Sequence, residues 1–204
     1  QISLRAKDDF NNYSSPTLTV NWSYPETNFC LSQTEANNWS YTFGQKDGTE
    51  AADVNLQSIA AQEDFQFNKV VLKIRQTQAN NDANLKLSVY ASNSSGQPDF
   101  TNQLDSTIIS NVFNPGENQD ITFSFANPIS LSAGNKYWLV LEVDNYNSTN
   151  SYNAWHSNSW QNATAGDVYQ YGESGKVQKN WDSSYSSFNA TPDQDWYMKI
   201  GLGL

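Results

Sequence analysis

Residues 68–78 read NKVVLKIRQTQ. Val70, Leu72 and Ile74 fall at every second position, and Lys69, Lys73 and Arg75 stand between and around them. Successive side chains of a β-strand point to opposite sides of the sheet, so this stretch has one apolar face and one charged face. A helix would place its apolar residues three and four apart. The same alternation recurs on both sides of the stretch. Upstream it runs through Ile2, Leu4 and Ala6, then Leu18, Val20, Trp22 and Tyr24, then Trp39, Tyr41 and Phe43. Downstream it runs through Leu85, Leu87, Val89 and Ala91, then Ile121, Phe123 and Phe125. Tyr137, Leu139, Leu141 and Val143 follow, and Trp196, Met198, Ile200 and Leu202 close the chain. One buried face and one wet face is the pattern of antiparallel sheets.

Turn chemistry separates these runs: NSSGQPD at 93–99, NPGENQD at 114–120, SAGNK at 132–136 and YGESGK at 171–176. Helical spacing is nearly absent. GTEAADVNLQSIAAQ at 48–62 has good helix formers in series and is expected to give a turn or two, although LQSIAAQ also reads as a strand. The reading is an all-β chain, a single antiparallel β-sandwich of jelly-roll type over residues 1–204, with long aromatic Asn/Ser-rich loops.

Composition narrows the function. The net charge is −10, which argues against nucleic-acid partners and anionic lipid surfaces, both of which select Lys and Arg. Only 16% of residues are charged, so polarity comes from Asn, Ser, Gln and Thr, a habit associated with extracellular proteins. No apolar run reaches the roughly 18 to 20 residues of a membrane span. Gln1 in place of a methionine is what cleavage of a secretory leader leaves, and equally what trimming leaves. Cys30 is the one cysteine, so an intramolecular disulfide is excluded, and it reads as a small buried hydrophobe.

Several of these runs also carry a resemblance. Tyr90 ends a strand before a turn containing Gly96 and Pro98, and Leu131, Ala133, Gly134, Tyr137 and Trp138 form a phrase leading into a long hydrophobic strand. A looser aromatic stretch, GDVYQY, Trp181 and a closing QDWYMKIGL follow. This order resembles the bacterial extracellular jelly-roll domains described as choice-of-anchor R-like. The resemblance covers residues 65–204 and implies a jelly-roll-like core; residues 1–64 lie outside it and are expected to add strands. It implies no catalytic residues, because that pattern defines none.

The search for chemistry finds little that points to an enzyme. His156 is the only histidine, and no Gly-x-Ser-x-Gly accompanies it. Glu142 with Asp144, and Asp193 with Asp195, are carboxylate pairs at strand ends whose members can share a face. No cofactor is expected and no metal site is assigned. A structural Ca²⁺ held by acids such as Asp8, Asp9, Asp167, Asp193 or Asp195 is the one ion considered.

The strongest signal lies in Lys136–Trp160, KYWLVLEVDNYNSTNSYNAWHSNSW, where a strand gives way to an uncharged, amide-rich stretch. Tyr146, Tyr152, Trp155, Trp160, Tyr169, Tyr171, Trp181 and Tyr185 follow one another among Asn, Ser and Gln. Such rings cap the ends of a sandwich, form a subunit interface, or stack beneath the C–H face of a sugar while amides bind its hydroxyls. Trp155, Trp160, Trp181, Tyr152, Tyr169 and Tyr171 are the candidate ligand-binding residues. Seven Asn-x-Ser/Thr triplets occur, and Asn93 and Asn147, both in loops, are the glycosylation candidates.

The expectation is a non-catalytic extracellular or cell-surface protein. It would be a structural or adhesive subunit of a filament, surface layer or virion appendage, with copies of itself or other surface proteins as partners. Strand-edge pairing would join the copies, with residues 1–6 as a segment that can cross into a neighbour. The alternative is a carbohydrate-binding module recognising glycans by stacking on Trp155, Trp160 and Trp181.

Overall fold

The computed structural model describes residues 2–4, 18–20, 28–33, 40–45, 51–76, 84–110, 117–144, 151–158, 172–180, 183–191 and 194–202. In chain order the strands are β1 (Ile2–Leu4), β2 (Leu18–Val20), β3 (Asn28–Gln33), β4 (Ser40–Gln45) and β5 (Ala51–Ala60). They continue with β6 (Phe65–Gln76), β7 (Leu85–Ser92), β8 (Pro98–Ile109), β9 (Asn118–Leu131) and β10 (Lys136–Val143). The last five are β11 (Ser151–Asn158), β12 (Ser174–Asn180), β13 (Asn189–Thr191), β14 (Gln194–Trp196) and β15 (Met198–Leu202). No helix occurs among the described residues, and none is therefore long and apolar enough to cross a membrane.

The protein is an antiparallel β-sandwich. One layer runs β8-β7-β10-β5-β12-β13, and the other runs β3-β15-β6-β9. On one side β11 joins the layers, pairing with the end of β6 and with β4, whose last residues pair with β5. On the other side the edges of β8 and β9 meet, and the Thr107 hydroxyl donates to the Ser124 carbonyl across the seam. β1 and β2 form a separate two-stranded antiparallel ribbon, so Ile2–Leu4 pairs within its own chain.

The alternation of the opening stretch becomes the inner face of β6. Val70, Leu72 and Ile74 lie in the main core with Ile121, Phe123 and Phe125 of β9 and Met198 and Ile200 of β15. From the facing layer come Leu85, Leu87 and Val89 of β7 and Tyr137, Leu139, Leu141 and Val143 of β10. Phe67 meets Phe125 edge-on, 5.9 Å between ring centres at 89°, a favoured aromatic geometry.

Three elements differ from the sequence reading. Residues 51–60 form a strand with no helical turn, because β10 and β12 flank them and pair with their backbone along most of their length. Residues 151–158 form β11 where an open loop was expected, since the edges of β4 and β6 complete their hydrogen bonds. Residues 174–176 of the expected turn YGESGK already belong to β12. By contrast NSSGQPD and SAGNK are turns. In the second, Gly134 has a φ of +79°, a left-handed conformation that a residue with a Cβ resists. The Asp64 carboxylate accepts from Ala133 N at 2.7 Å and the Tyr137 hydroxyl from Ser132 N at 3.0 Å, which ties this turn to the β5–β6 connection and to β10.

β10 is buried on both faces, not one. Its outer residues Trp138 and Val140 join Val54, Leu56, Tyr90 and Val177 in a second apolar cluster. The chain after β12 folds back to cover this face: Phe188 packs on Trp138 with ring centres 4.8 Å apart, and Tyr185 stacks on Phe100 at 3.9 Å and 12°. Gly175 lets that flap approach, since a methyl group there would run into the Phe188 ring and come within 2.7 Å of the Asn189 carbonyl oxygen.

Candidate functional site

Four features outside the two cores have functional chemistry. The first is the polar end of the outer cluster. Glu142 follows Val140 on the outer face of β10 and is 1% exposed. Its Oε2 accepts from Lys179 Nζ at 2.9 Å and from the Tyr185 hydroxyl at 3.1 Å. Lys86 Nζ lies 3.3 Å from Oε1, an ion pair without hydrogen-bond alignment. The register places Lys86 directly opposite Glu142 on β7, so sheet pairing itself positions the contact. Asp144 is exposed, so the two strand-end carboxylates Glu142 and Asp144 have different environments.

Burial pushes the Tyr185 phenol well above its ordinary value of 10.0, and the neighbouring Glu142 charge and Tyr90 add to the shift. The sign follows from linkage. Above about pH 10 the unfolded chain loses the phenolic proton while the folded chain keeps it, so stability falls as pH rises. Urea titrations from about pH 9 to about pH 11 are expected to show a steeper loss for the wild type than for Tyr185→Phe. Equal slopes would mean that the phenol is not held in this way.

The second feature is a groove of about 270 Å³ lined by Asp53, Lys176, Val177, Gln178, Ser186, Ser187 and Asn189. Strand register sets Gln178 opposite Asp53 and Lys176 opposite Asn55. Lys176 Nζ lies 3.9 Å from Asp53 Oδ2, and burial lowers the lysine pKa against the opposing pull of that carboxylate. An amide, hydroxyls and an ion pair in one groove suit a ligand rich in hydroxyl groups.

The third is the edge of β8. Leu104 is 41% exposed and Ile108 is 50% exposed. The register with β7 shifts between Val89 and Tyr90, so Leu104 sits at an irregularity while Asp105–Ile109 pairs in continuous register. Among the described residues β8 has β7 as its strand partner, and its far edge meets β9 alone, at the seam.

The fourth is the outer face of β6, β9 and β15. Asp120 lies 3.7 Å from both Lys73 and Lys199, and the Tyr197 hydroxyl donates to it at 3.3 Å. Lys73 sits 4.2 Å from the Tyr197 ring centre and Lys199 5.5 Å. A hydrogen bond to the Tyr197 side chain, helped by Asp120, raises the Lys199 pKa and keeps it a cation.

Of the residues expected to bind ligand, Trp160, Tyr169, Tyr171 and Trp181 lie outside the described residues, as does Asn147. Tyr152 and Trp155 are on β11, opposite Phe43 and Ser40 of β4. Tyr185, from the same aromatic series, is an internal contact of the outer cluster. Asn93 is exposed in the β7–β8 turn, where its Oδ1 accepts from Ser95 N at 2.9 Å and Gln97 N at 3.1 Å. His156 pairs in register with Trp196, and Ser157 with Asp195. The Asp195 carboxylate is 2% exposed and accepts from Gln57 Nε2 at 2.9 Å. Among the described residues no three His, Cys, Asp or Glu side chains gather as a metal site; Asp8, Asp9, Asp167 and Asp193 lie outside them.

Sequence reasoning missed the groove and the Glu142 cluster. Lys179 and Glu142 are far apart in the chain, and only the β10-β5-β12 order brings them together. Alternation did expose the basic side of β6.

These elements define an all-β antiparallel sandwich with a polar groove, whose outermost described strand on one side is β8. No family model and no curated protein matches the chain. Among solved structures, it is similar to a chain in the structure of infectious bursal disease virus Gt strain, with 11% identity and a TM-score of 0.31. The similarity covers 90% of this chain and 47% of that one, so this chain spans about half the length of that neighbour.

Proposed function

We propose that this protein is a non-catalytic structural subunit of an extracellular surface assembly, joined to its neighbours by pairing at the edge of β8. The observation that carries the reading is the β8 edge itself. Leu104 and Ile108 are two of the three large hydrophobic side chains found exposed among the described residues, and both stand on this one strand. An open edge offers unpaired N–H and C=O groups, and apolar side chains beside it favour a second strand over water. The resemblance of residues 65–204 to extracellular jelly-roll domains agrees with that setting. Leu104→Lys with Ile108→Lys is expected to weaken self-association by about 100-fold or more while the fold persists, as read by sedimentation velocity and circular dichroism. Association unchanged by the double substitution would remove β8 from the contact.

A second reading, a carbohydrate-binding module, is favoured by the groove at Asp53, Gln178, Ser186, Ser187 and Asn189. Its test is a glycan array with Trp155→Ala, Trp160→Ala and Gln178→Ala controls. Sugar binding lost in these variants supports the module, and an array without signal ends it.

A further inference from the structure

We infer that Glu142 and Lys179 form a modification site, at which the folded chain slowly joins the two side chains by an amide bond. Glu142 lies on β10 and Lys179 on β12, and β5 runs between them. Lys179 stands opposite Ala52 of β5, and the two side chains meet across the outer face of that strand, with Nζ 2.9 Å from Oε2. Glu142 is buried and the Lys179 side chain is 15% exposed. Burial weakens the hold of the charged forms, so passing a proton from Lys179 to Glu142 costs less here than in water. It also keeps solvent away from the product.

The step is a condensation. Lys179 gives one proton to Oε2, and the lone pair of the free amine forms a bond to Glu142 Cδ. Oε1 becomes an oxyanion, and Lys86 Nζ already stands 3.3 Å from it. The nitrogen gives up a second proton, the Cδ–Oε2 bond breaks, and Oε2 leaves as water. The Tyr185 hydroxyl, 3.1 Å from Oε2, delivers that second proton and regains one from the nitrogen. Backbone pairing between Lys179 and Tyr185 holds the phenol at this place. No oxidant, reductant or co-reactant enters. Holding two groups in contact gives an effective concentration that reaches about 10⁵ M or more in well-oriented pairs, which favours the amide. Water is a poor leaving group, so the bond accumulates over days after folding, and the ion-paired chain described above is its precursor. A single cysteine leaves this chain no internal disulfide, and the amide clamps β10 to β12 across β5 in its place.

The inference does not depend on association between copies. Its test is the intact mass of the denatured protein, followed while the folded chain is incubated at neutral pH. The wild type is expected to lose the mass of one water, and tryptic mapping to find that loss in one branched peptide joining Glu142 to Lys179. Lys86→Arg keeps a cation at Oε1 and is expected to keep the bond. Lys179→Arg keeps the charge but offers a guanidinium that does not give up its proton, and it is expected to hold its full mass. Tyr185→Phe is expected to slow the loss about 100-fold. Circular dichroism shows whether each variant is folded. A wild-type chain still at full mass after weeks, a loss that persists in Lys179→Arg, a branch at Lys86, or a Tyr185→Phe chain that condenses at the wild-type rate overturns the inference.

Discussion

Trp138→Ala is expected to lower the stability of the fold by about 4 kcal/mol, the middle of the range for deleting a buried tryptophan. The side chain is fully buried and belongs to the outer cluster with Val54, Leu56, Tyr90, Val140 and Val177. Its removal takes away the floor on which Phe188 rests. It also takes the donor of two hydrogen bonds: Trp138 Nε1 to Ser92 Oγ at 3.1 Å and to the Gly96 carbonyl at 3.2 Å. Those bonds hold the β7–β8 turn to the middle of the sheet. For a chain of this size the melting temperature should fall by about 8 to 16 °C. Trp138→Phe keeps one six-membered ring and loses the donor with the five-membered ring, so it is expected to cost about 2 kcal/mol, less than the alanine variant. Two variants of equal stability would mean that packing contributes nothing beyond the hydrogen bonds.

Glu142→Ala is expected to cost about 3 kcal/mol, the low end for breaking a buried ion pair, because Lys86 and Lys179 retain some contact with water. The substitution leaves two ammonium groups facing each other across the vacated site and frees the Tyr185 hydroxyl. Removing the charges together has a different outcome. Glu142→Leu with Lys86→Met and Lys179→Met is expected to regain most of the loss, since desolvation offsets much of the attraction in a buried pair. Thermal or urea unfolding of both variants checks this. A triple variant no more stable than Glu142→Ala would show that the cluster stabilises the fold through more than pairing.

The parts of this structure that could be read from the sequence are those where one face is buried and the other wet. β6 and β9 have that property, and their alternation translates directly into the main core. β10 was legible as a strand but not as a doubly buried one, although the run Tyr137–Val143 is apolar at nearly every position, the mark of a strand covered on both sides. β5 hid its nature for the opposite reason. Val54 and Leu56 alternate with Asn55 and Gln57, which reads as one wet face, yet Asn55 and Gln57 are fully buried too. Besides the adjacent Ser58 carbonyl at 3.2 Å, Gln57 finds its partners in a distant part of the chain: its amide donates to Asp195, and its side-chain carbonyl accepts from Trp196 N at 2.9 Å. No local pattern announces a partner so far away. β11 is rich in Asn and Ser, which disfavour strands, and its pairing with β4, β6 and β14 overrides that preference.

The candidate sites follow the same division. The basic face was visible in Lys69, Lys73 and Arg75, because it depends on parity within one strand. The groove and the Glu142 cluster were not, because they depend on which strands are neighbours. Tyr185 illustrates the limit: in sequence it belongs to an aromatic series that reads equally as capping, interface or ligand contact, while in the fold it stacks on Phe100 and bonds Glu142.

Hydrogen exchange along Pro98–Ile109, compared between concentrated and dilute protein, reads edge pairing of β8 between copies. Edge pairing between copies protects the amides that point away from β7, at every second residue, and does so only when the protein is associated. Exchange across β8 that is identical in associated and dissociated protein, with protection gained elsewhere, would mean that copies do not join at this edge.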